Sequence, residues 1–274
     1  MTLEEAYGFG KRTLEEHKIA DASIDAWILL EYITKISRAM YYSNPKREMT
    51  EEQKTQYKYF IEERVKRIPL QHLTKEQEFM GLSFEVNEHV LIPRQDTEVL
   101  VETVLEDLEE NMRVLDICTG SGCILISLLK IMRGVKGVGV DISEEALEVA
   151  RRNAQKHDTE AVFIQSDLFE NVEGTYDVIV SNPPYIKTEE IEKLEEEVKL
   201  HDPMLALDGK EDGLYFYRKI IKESRKYLKR NGKLYFEIGN TQGEEVKTLM
   251  EEEGFTNVKI KKDLAGLDRV VCGV

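Results

Sequence analysis

From residue 113 onward, short and continuously apolar runs alternate with amphipathic stretches long enough to be helices. The runs lie at 113–118, 138–141, 161–164 and 176–180, and 233–238, 257–261 and 269–272 supply later strands. A strand that is apolar throughout, not merely at alternate positions, must be covered on both faces. Helices between such strands supply that cover. The pattern therefore predicts an α/β fold around a mostly parallel, seven-stranded sheet. Segments 124–132 and 144–157 are the first helices of the series, and another through Val99, Val101, Val104, Leu105 and Leu108 precedes it.

The first 75 residues read as helices alone. Thr2-Leu3-Glu4-Glu5 has the form of a capping box, in which Thr2 accepts from a free amide and Glu5 reaches back. Ile24, Trp27, Ile28, Leu30 and Ile33 recur at helical spacing, as do Tyr57, Phe60, Ile61 and Val65; Trp27, among apolar neighbours, is expected in the core. Asn44-Pro45 interrupts these helices and Ile68-Pro69 closes them. Residues 79–86 and 90–92 read as extended pieces, with Asn87-Glu88 as the hairpin turn between them. The expected organisation is a small helical N-terminal domain (1–75), a β-hairpin linker (76–93) and a Rossmann-like α/β domain (94–274). No internal repeat or low-complexity tract interrupts it.

Charge narrows the function classes. The chain carries −15 overall, but residues 1–75 hold 13 Lys+Arg against 12 Asp+Glu, leaving 25 against 41, or −16, for the rest. So acidic a region repels a phosphate backbone, and stable nucleic-acid binding is not expected. No run approaches the roughly 18 apolar residues that a membrane span needs. The acidic, amphipathic start is unlike a signal peptide. Cys118, Cys123 and Cys272 lack metal-ligand spacing and read as reduced, buried thiols, so no metal site is expected and the expected location is cytoplasmic.

Ligands of such sheets bind beyond the carboxyl ends of the strands. The first strand runs into Cys118-Thr119-Gly120-Ser121-Gly122, where the two glycines allow a tight turn and close backbone approach at a helix N-terminus. The third glycine of a dinucleotide fingerprint is absent, with Leu125 in its place. S-Adenosylmethionine has no pyrophosphate that would demand it. Asp141 ends the second strand and can accept both hydroxyls of a ribose. Asp167, after the third, can meet an adenine edge, with Leu168 against the ring. Either Asp alone could equally be a helix cap or solvated turn. Both in register after consecutive strands favour an adenosine pocket.

Asn182-Pro183-Pro184-Tyr185 follows the fourth strand directly, at the same edge as the glycine turn. Asn-Pro and Pro-Pro are ordinary turn formers, yet a simple turn requires neither Asn immediately after the strand nor Tyr after two prolines. An amide nitrogen is a poor nucleophile because its lone pair is delocalised into the carbonyl. Two acceptors for its N–H bonds fix the nitrogen and draw electron density onto it. The Asn182 side-chain carbonyl and the Pro183 main chain can be those acceptors, while proline brings no competing N–H and holds the backbone rigid. Tyr185 can pack its ring against a planar substrate group. The expected chemistry is methylation of a planar amide or amine nitrogen, with much of the acceleration coming from positioning.

Three further groups invite a reading. Arg94 and Glu98 stand at i,i+4 and are expected to pair, or else to close the pocket. Residues 188–200 hold six Glu and two Lys around Ile191, Leu194 and Val198, which predicts a helix with a solvated acidic face or, more sharply, a lid facing a basic partner. Glu237, at a strand end, either lines the site or is a buried, hydrogen-bonded carboxylate.

In these motifs the chain resembles the HemK/PrmC-type protein-(glutamine-N5) methyltransferases that modify peptide chain release factors. The likeness covers nearly the whole sequence and also includes Arg67-Ile68-Pro69-Leu70-Gln71-His72-Leu73, Leu91-Ile92-Pro93-Arg94-Gln95-Asp96-Thr97-Glu98, Asp202-Pro203-Met204-Leu205-Ala206-Leu207, Asp212-Gly213-Leu214, Glu237-Ile238-Gly239 and Asp263-Leu264-Ala265-Gly266-Leu267-Asp268-Arg269. The resemblance implies that S-adenosylmethionine is the methyl donor and S-adenosylhomocysteine the product. The implied substrate is the glutamine of the Gly-Gly-Gln motif in a class I release factor, recognised with help from the N-terminal helices. It assigns Cys118 to Gly122 as the cofactor loop, Asp141 as the ribose ligand and Asn182 to Tyr185 as the substrate-amide site. Three positions depart from the family pattern. Cys118 and Lys75 stand where glycine is usual, and Leu168 where some relatives carry an aromatic. The competing reading is an N6-adenine nucleic-acid methyltransferase, since an exocyclic amine presents the same planar NH₂ group. That chemistry needs an unstacked base and a basic channel, and the acidic C-terminal region opposes it.

Overall fold

Thr2 opens the first helix as its sequence predicts: its hydroxyl oxygen accepts from the Glu5 amide, and the Glu5 carboxylate accepts from the Thr2 amide. The computed structural model describes every residue from Met1 to Val274. It comprises two units, residues 1–75 with 195–201, and residues 76–194 with 202–274.

The first unit is built on α1 (Leu3–Glu16), α2 (Ala22–Thr34), α3 (Arg38–Ser43), α4 (Glu51–Val65) and α5 (Leu70–Thr74). Its core contains Leu3, Leu14, Trp27, Leu30, Tyr57 and Ile61. Tyr57 is sealed in by Gly10, where a Cβ would fall 2.1 Å from the phenol oxygen, and its hydroxyl donates to the Ala26 carbonyl at 3.0 Å. The face expected for α2 is only partly right. Trp27 and Leu30 are buried, but Ile24 is 49% exposed, and Ala22, Ala26 and Leu29 take the inner positions. That helix is apolar on most of its circumference, so spacing alone could not choose its buried side.

In the second unit a hairpin, β1 (Glu76–Phe79) and β2 (Leu82–Glu85), precedes a 3-10 turn at 95–97 and α6 (Glu98–Leu105). The hairpin turn falls at Met80-Gly81, not at Asn87-Glu88, and residues 90–92 form no strand. Met80 (φ 51°) and Gly81 (φ 70°) are both left-handed, as a two-residue turn matching the strand twist requires. Asn87 instead accepts from the His89 amide in a local turn of its own. Because residue 94 precedes the helix, Arg94 and Glu98 do not pair: Arg94 donates to Asp202 at 2.6 Å, and Glu98 accepts from the Met80 amide.

The sheet follows as β3 (Arg113–Ile117), α7 (Cys123–Ile131), β4 (Lys136–Asp141), α8 (Glu144–Lys156), β5 (Ala161–Gln165) and β6 (Tyr176–Ser181). After it come α9 (Thr188–Ile191), α10 (Glu196–His201), α11 (Met204–Leu207), α12 (Tyr215–Ser224), β7 (Leu228–Glu237), α13 (Gly243–Glu252), β8 (Lys259–Lys262) and β9 (Asp268–Gly273). Strand order is β5-β4-β3-β6-β7-β9-β8, parallel except where β9 runs against β7 and β8. This is the expected seven-stranded, mostly parallel α/β sheet. One apolar cluster includes Val101, Leu125 and Leu147 from α6, α7 and α8; another includes Tyr217, Ile221 and Val246 from α12 and α13.

The acidic stretch 188–200 is not one helix, although five of its six glutamates are exposed as expected. It splits between α9 and α10, and α10 belongs to the first unit. There Glu197 accepts from Arg64 and Glu196 pairs with Arg67 at 3.2 Å. Arg64 is buried and also bonded to buried Asp25 at 2.7 Å. A buried guanidinium demands counter-charges; Glu197, 30% exposed, supplies one to Arg64, while Glu196 remains 69% exposed.

Candidate active site

β3 and β6 lie side by side in parallel register, with Ile117 opposite Ser181, and the Ser181 hydroxyl donates to the Ile117 carbonyl at 2.7 Å. The chain therefore leaves the sheet at Cys118 and at Asn182 as neighbours. Strand order reverses at β3, so the two exits flank the switch point where ligands of such sheets bind. A cavity of about 390 Å³ opens there. Cys118, Thr119, Gly120, Ser121, Asp141, Asp167, Leu168, Asn182 and Pro184 border it. Gly122, Pro183 and Tyr185 do not.

On the β3 side the turn is shaped by three left-handed residues, Cys118 (φ 61°), Gly120 (φ 55°) and Gly122 (φ 78°). Gly122 caps α7, and a Cβ on it would lie 2.9 Å from Ile126 Cδ1 and 3.2 Å from Ala150 Cβ. Asp141 accepts from the Gly120 amide at 2.9 Å and the Ser143 amide at 3.0 Å, bonds that oppose the rise in its pKa caused by burial. Beneath the turn, fully buried Asp116 accepts the Thr119 hydroxyl at 2.6 Å. Burial, with Asp141 nearby, pushes Asp116 up to about 7 despite that bond. Burial also raises the Cys118 thiol well above its ordinary value, so it stays protonated and is no nucleophile.

The turn after β6 has no left-handed residue. The Pro183 carbonyl accepts no hydrogen bond from the chain. Asn182 donates through Nδ2 to Thr97 Oγ1 at 3.4 Å. Behind them lies Glu237, 2% exposed, whose carboxyl burial pushes up to about 7 against the opposing pull of Thr97, Arg269 and Asn182. Glu237 is thus the buried carboxylate of the two sequence alternatives, and it does not border the cavity. Tyr185 packs against the core beneath α12 and α13, and burial pushes its hydroxyl up to about 12.

Several supports were invisible to local pattern. Buried Gln242 donates to the Tyr185 carbonyl at 3.1 Å across 57 positions and accepts from the Gly239 amide at 3.0 Å. A Cβ on Gly209 or Gly213 would come within 2.7 and 2.5 Å of the Tyr185 backbone. Asn153, fully buried, donates to the Ser121 carbonyl at 3.0 Å and exchanges bonds with the Glu85 backbone, tying hairpin to glycine turn. Ile142 and Phe216 add apolar walls to the cavity.

Residues 5–74 match the PrmC N-terminal domain, residues 94–198 the methyltransferase small domain, and residues 152–249 the Eco57I restriction-modification methylase. The release factor glutamine methyltransferase of Clostridium acetobutylicum is 43% identical, over 99% of this chain and 96% of its own length. That of Caulobacter vibrioides is 40% identical, over 100% of this chain and 96% of its own. The chain belongs to the release factor glutamine methyltransferase family. A solved methyltransferase from Pyrococcus furiosus, 20% identical with a TM-score of 0.53 over 70% of this chain and 88% of its own, shares the fold. The Eco57I match spans Asn182 to Tyr185, as does that of the methyltransferase small domain.

The lining fits S-adenosylmethionine. Glu88, Asp141, Glu145 and Asp167 face the cavity with only Arg94 and His89 as potential cations, a field that favours a sulfonium and disfavours a pyrophosphate. Leu168, Ile142 and Phe216 offer the flat apolar contact an adenine ring needs.

Proposed function

We propose that this chain methylates the side-chain amide nitrogen (N5) of the glutamine in the Gly-Gly-Gln motif of class I peptide chain release factors, with S-adenosylmethionine as donor and S-adenosylhomocysteine as product. The observation that carries this reading is the adjacency of two strand ends, one bringing the glycine turn and Asp141 to the cavity, the other Asn182. Bound there, S-adenosylmethionine supplies an electrophilic methyl on its sulfonium. Asp141 would accept the ribose hydroxyls, Asp167 the adenine edge, and Cys118 to Gly122 would wrap the donor with Leu168 against its ring. Asn182 Oδ1 and the Pro183 carbonyl accept the two amide N–H bonds of the glutamine, holding its nitrogen still and enriching it. Pro184 walls the site, and Tyr185 acts through the rigid backbone it anchors. No general base is required before transfer, because the cationic product loses its proton readily.

The N-terminal helices serve recognition of the folded factor, and the site of action is the cytoplasm. No helix is long and apolar enough to cross a membrane. Incubation with labelled donor and a purified release factor, beside duplex and single-stranded DNA, tests the reading. Label on the factor's glutamine, located by mass spectrometry, is expected. Labelled DNA with unlabelled protein would overturn it in favour of the N6-adenine alternative.

A further inference from the structure

The geometry points to Glu237 as the positioning residue that decides which end of the Asn182 side-chain amide faces the substrate. This inference rests on the proposed role of Asn182 as an acceptor. A side-chain amide has two nearly isosteric ends, and only Oδ1 can accept. Turned over, it would point its own NH₂ at the NH₂ of the glutamine, where neither can accept. Something behind Asn182 must therefore prefer the donor end.

Thr97 cannot do so alone, because its hydroxyl both donates and accepts. A carboxylate only accepts. Register puts one there: Ser181 of β6 lies opposite Phe236 of β7, so Asn182 and Glu237 are the next residues along on adjacent strands. The Glu237 carboxyl is buried among Thr97, Asn182 and Arg269, and its Oε2 has no hydrogen-bond partner. An acceptor with capacity to spare draws Nδ2 inward and leaves Oδ1 for the cavity. Glu237 itself does not border the cavity, so its influence passes through Asn182.

Protonation would erase the preference, since a carboxylic acid can donate to Oδ1 as well as accept from Nδ2. The charged and titratable groups facing Glu237 are Arg269 from β9, Asp96 from the 3-10 turn, Tyr185 after β6, Tyr217 from α12 and Cys123 from α7. Arg269 favours the carboxylate, while Asp96 and burial oppose it. Burial raises Tyr185, Tyr217 and Cys123, which stay neutral near pH 7. The proton on Glu237 therefore comes and goes near pH 7 while these three groups do not change charge.

The test is kcat against pH from 6 to 9 at saturating donor, with release factor as acceptor, for wild type, Glu237→Gln, Glu237→Asp and Asn182→Ala. Saturation removes any contribution of Asp116, whose protonation acts on the donor turn and would appear in the donor KM. Wild-type kcat is expected to fall about tenfold from pH 8 to 6, as one proton binds with a pKa near 7. Glu237→Gln, which offers Asn182 both a donor and an acceptor, should be about tenfold slower at pH 8, lack the acid limb and keep its donor Kd. Glu237→Asp should retain an acid limb, and it carries the test if the Gln variant fails to fold. A wild-type acid limb that persists in Glu237→Gln, or a profile flat in both wild type and Glu237→Asp, overturns the inference. Asn182→Ala with normal kcat would instead overturn the proposed site. An inactive Asn182→Ala beside a Glu237→Gln enzyme indistinguishable from wild type would overturn the role of Glu237 alone.

Discussion

β3 and β6 end together at one edge of the sheet, yet the chain leaves them by opposite means. After β3 it bends through three left-handed residues, two of them glycine; after β6 it bends through two prolines with no left-handed residue at all. At the first exit the Thr119, Gly120 and Gly122 amides donate within the chain, to Val140, Asp141 and Thr119. At the second the prolines have no N–H to donate, and the Pro183 carbonyl accepts no hydrogen bond from the chain. In the proposed function the first end holds the cofactor and the second the NH₂ group.

The contrast breaks if the two ends cannot be damaged separately. Gly122→Val forces a β-branched residue to φ 78° against Ile126 and Ala150. Relief of about 1–3 kcal/mol of backbone strain and a similar overpacking cost should displace the turn, and donor affinity should then weaken by roughly 100-fold. Asn182→Ala should lower turnover by a factor of roughly 10² while donor affinity holds. Titration calorimetry with the donor, set beside turnover with release factor, reads both; Asn182→Ala with lost donor binding would merge the two ends.

A smaller effect concerns what the ends share, a buried carboxyl raised to about 7, Asp116 under the first and Glu237 behind the second. Their ordinary values are 3.8 and 4.5. Between those values and 7 the folded chain holds protons that the unfolded chain has released. Stability from these groups is therefore fully present at low pH and lost as pH rises through about 7. Thermal unfolding should shift upward by several degrees from pH 8 to 5.5, on the order of a few kcal/mol at most. Asp116→Asn with Glu237→Gln should flatten that slope, and an unchanged slope would remove both groups from the account.

The smallest effect sharpens the glycine argument. The two departures from the family's glycines, Cys118 (φ 61°) and Lys75 (φ 63°), are both left-handed in the structure. That is a conformation glycine adopts without steric cost. Cys118→Gly should raise stability by up to about 1 kcal/mol, the relief of a left-handed residue less the added freedom of the unfolded glycine. Differential scanning calorimetry measures it, and a lower Tm would show that Cys118 packing outweighs the strain.

Where local chemistry was decisive, the sequence was enough. Continuous apolar runs required two covered faces, which yielded the parallel sheet. Gly120, Gly122 and Asp141 declared one edge of it, and Asn182 with two prolines declared the same edge again. Turn identity was harder: Asn87 looked the better hairpin residue, but Met80-Gly81 matched the strand twist. Reading a pair from i,i+4 spacing failed for Arg94 and Glu98, because spacing presumes a helix that begins only at residue 98.

The order of elements, the sheet and the chemistry at its two strand ends are written in the amino acids themselves, because backbone conformation and apolar periodicity are local properties. Which side chains stand behind those ends was decided only by the tertiary structure. Glu237 beside Asn182, Gln242 on Tyr185, Asn153 on Ser121 and Glu197 on Arg64 all join distant parts of the chain. A buried polar group has to find a partner wherever packing places one, and no spacing along the chain encodes where that will be.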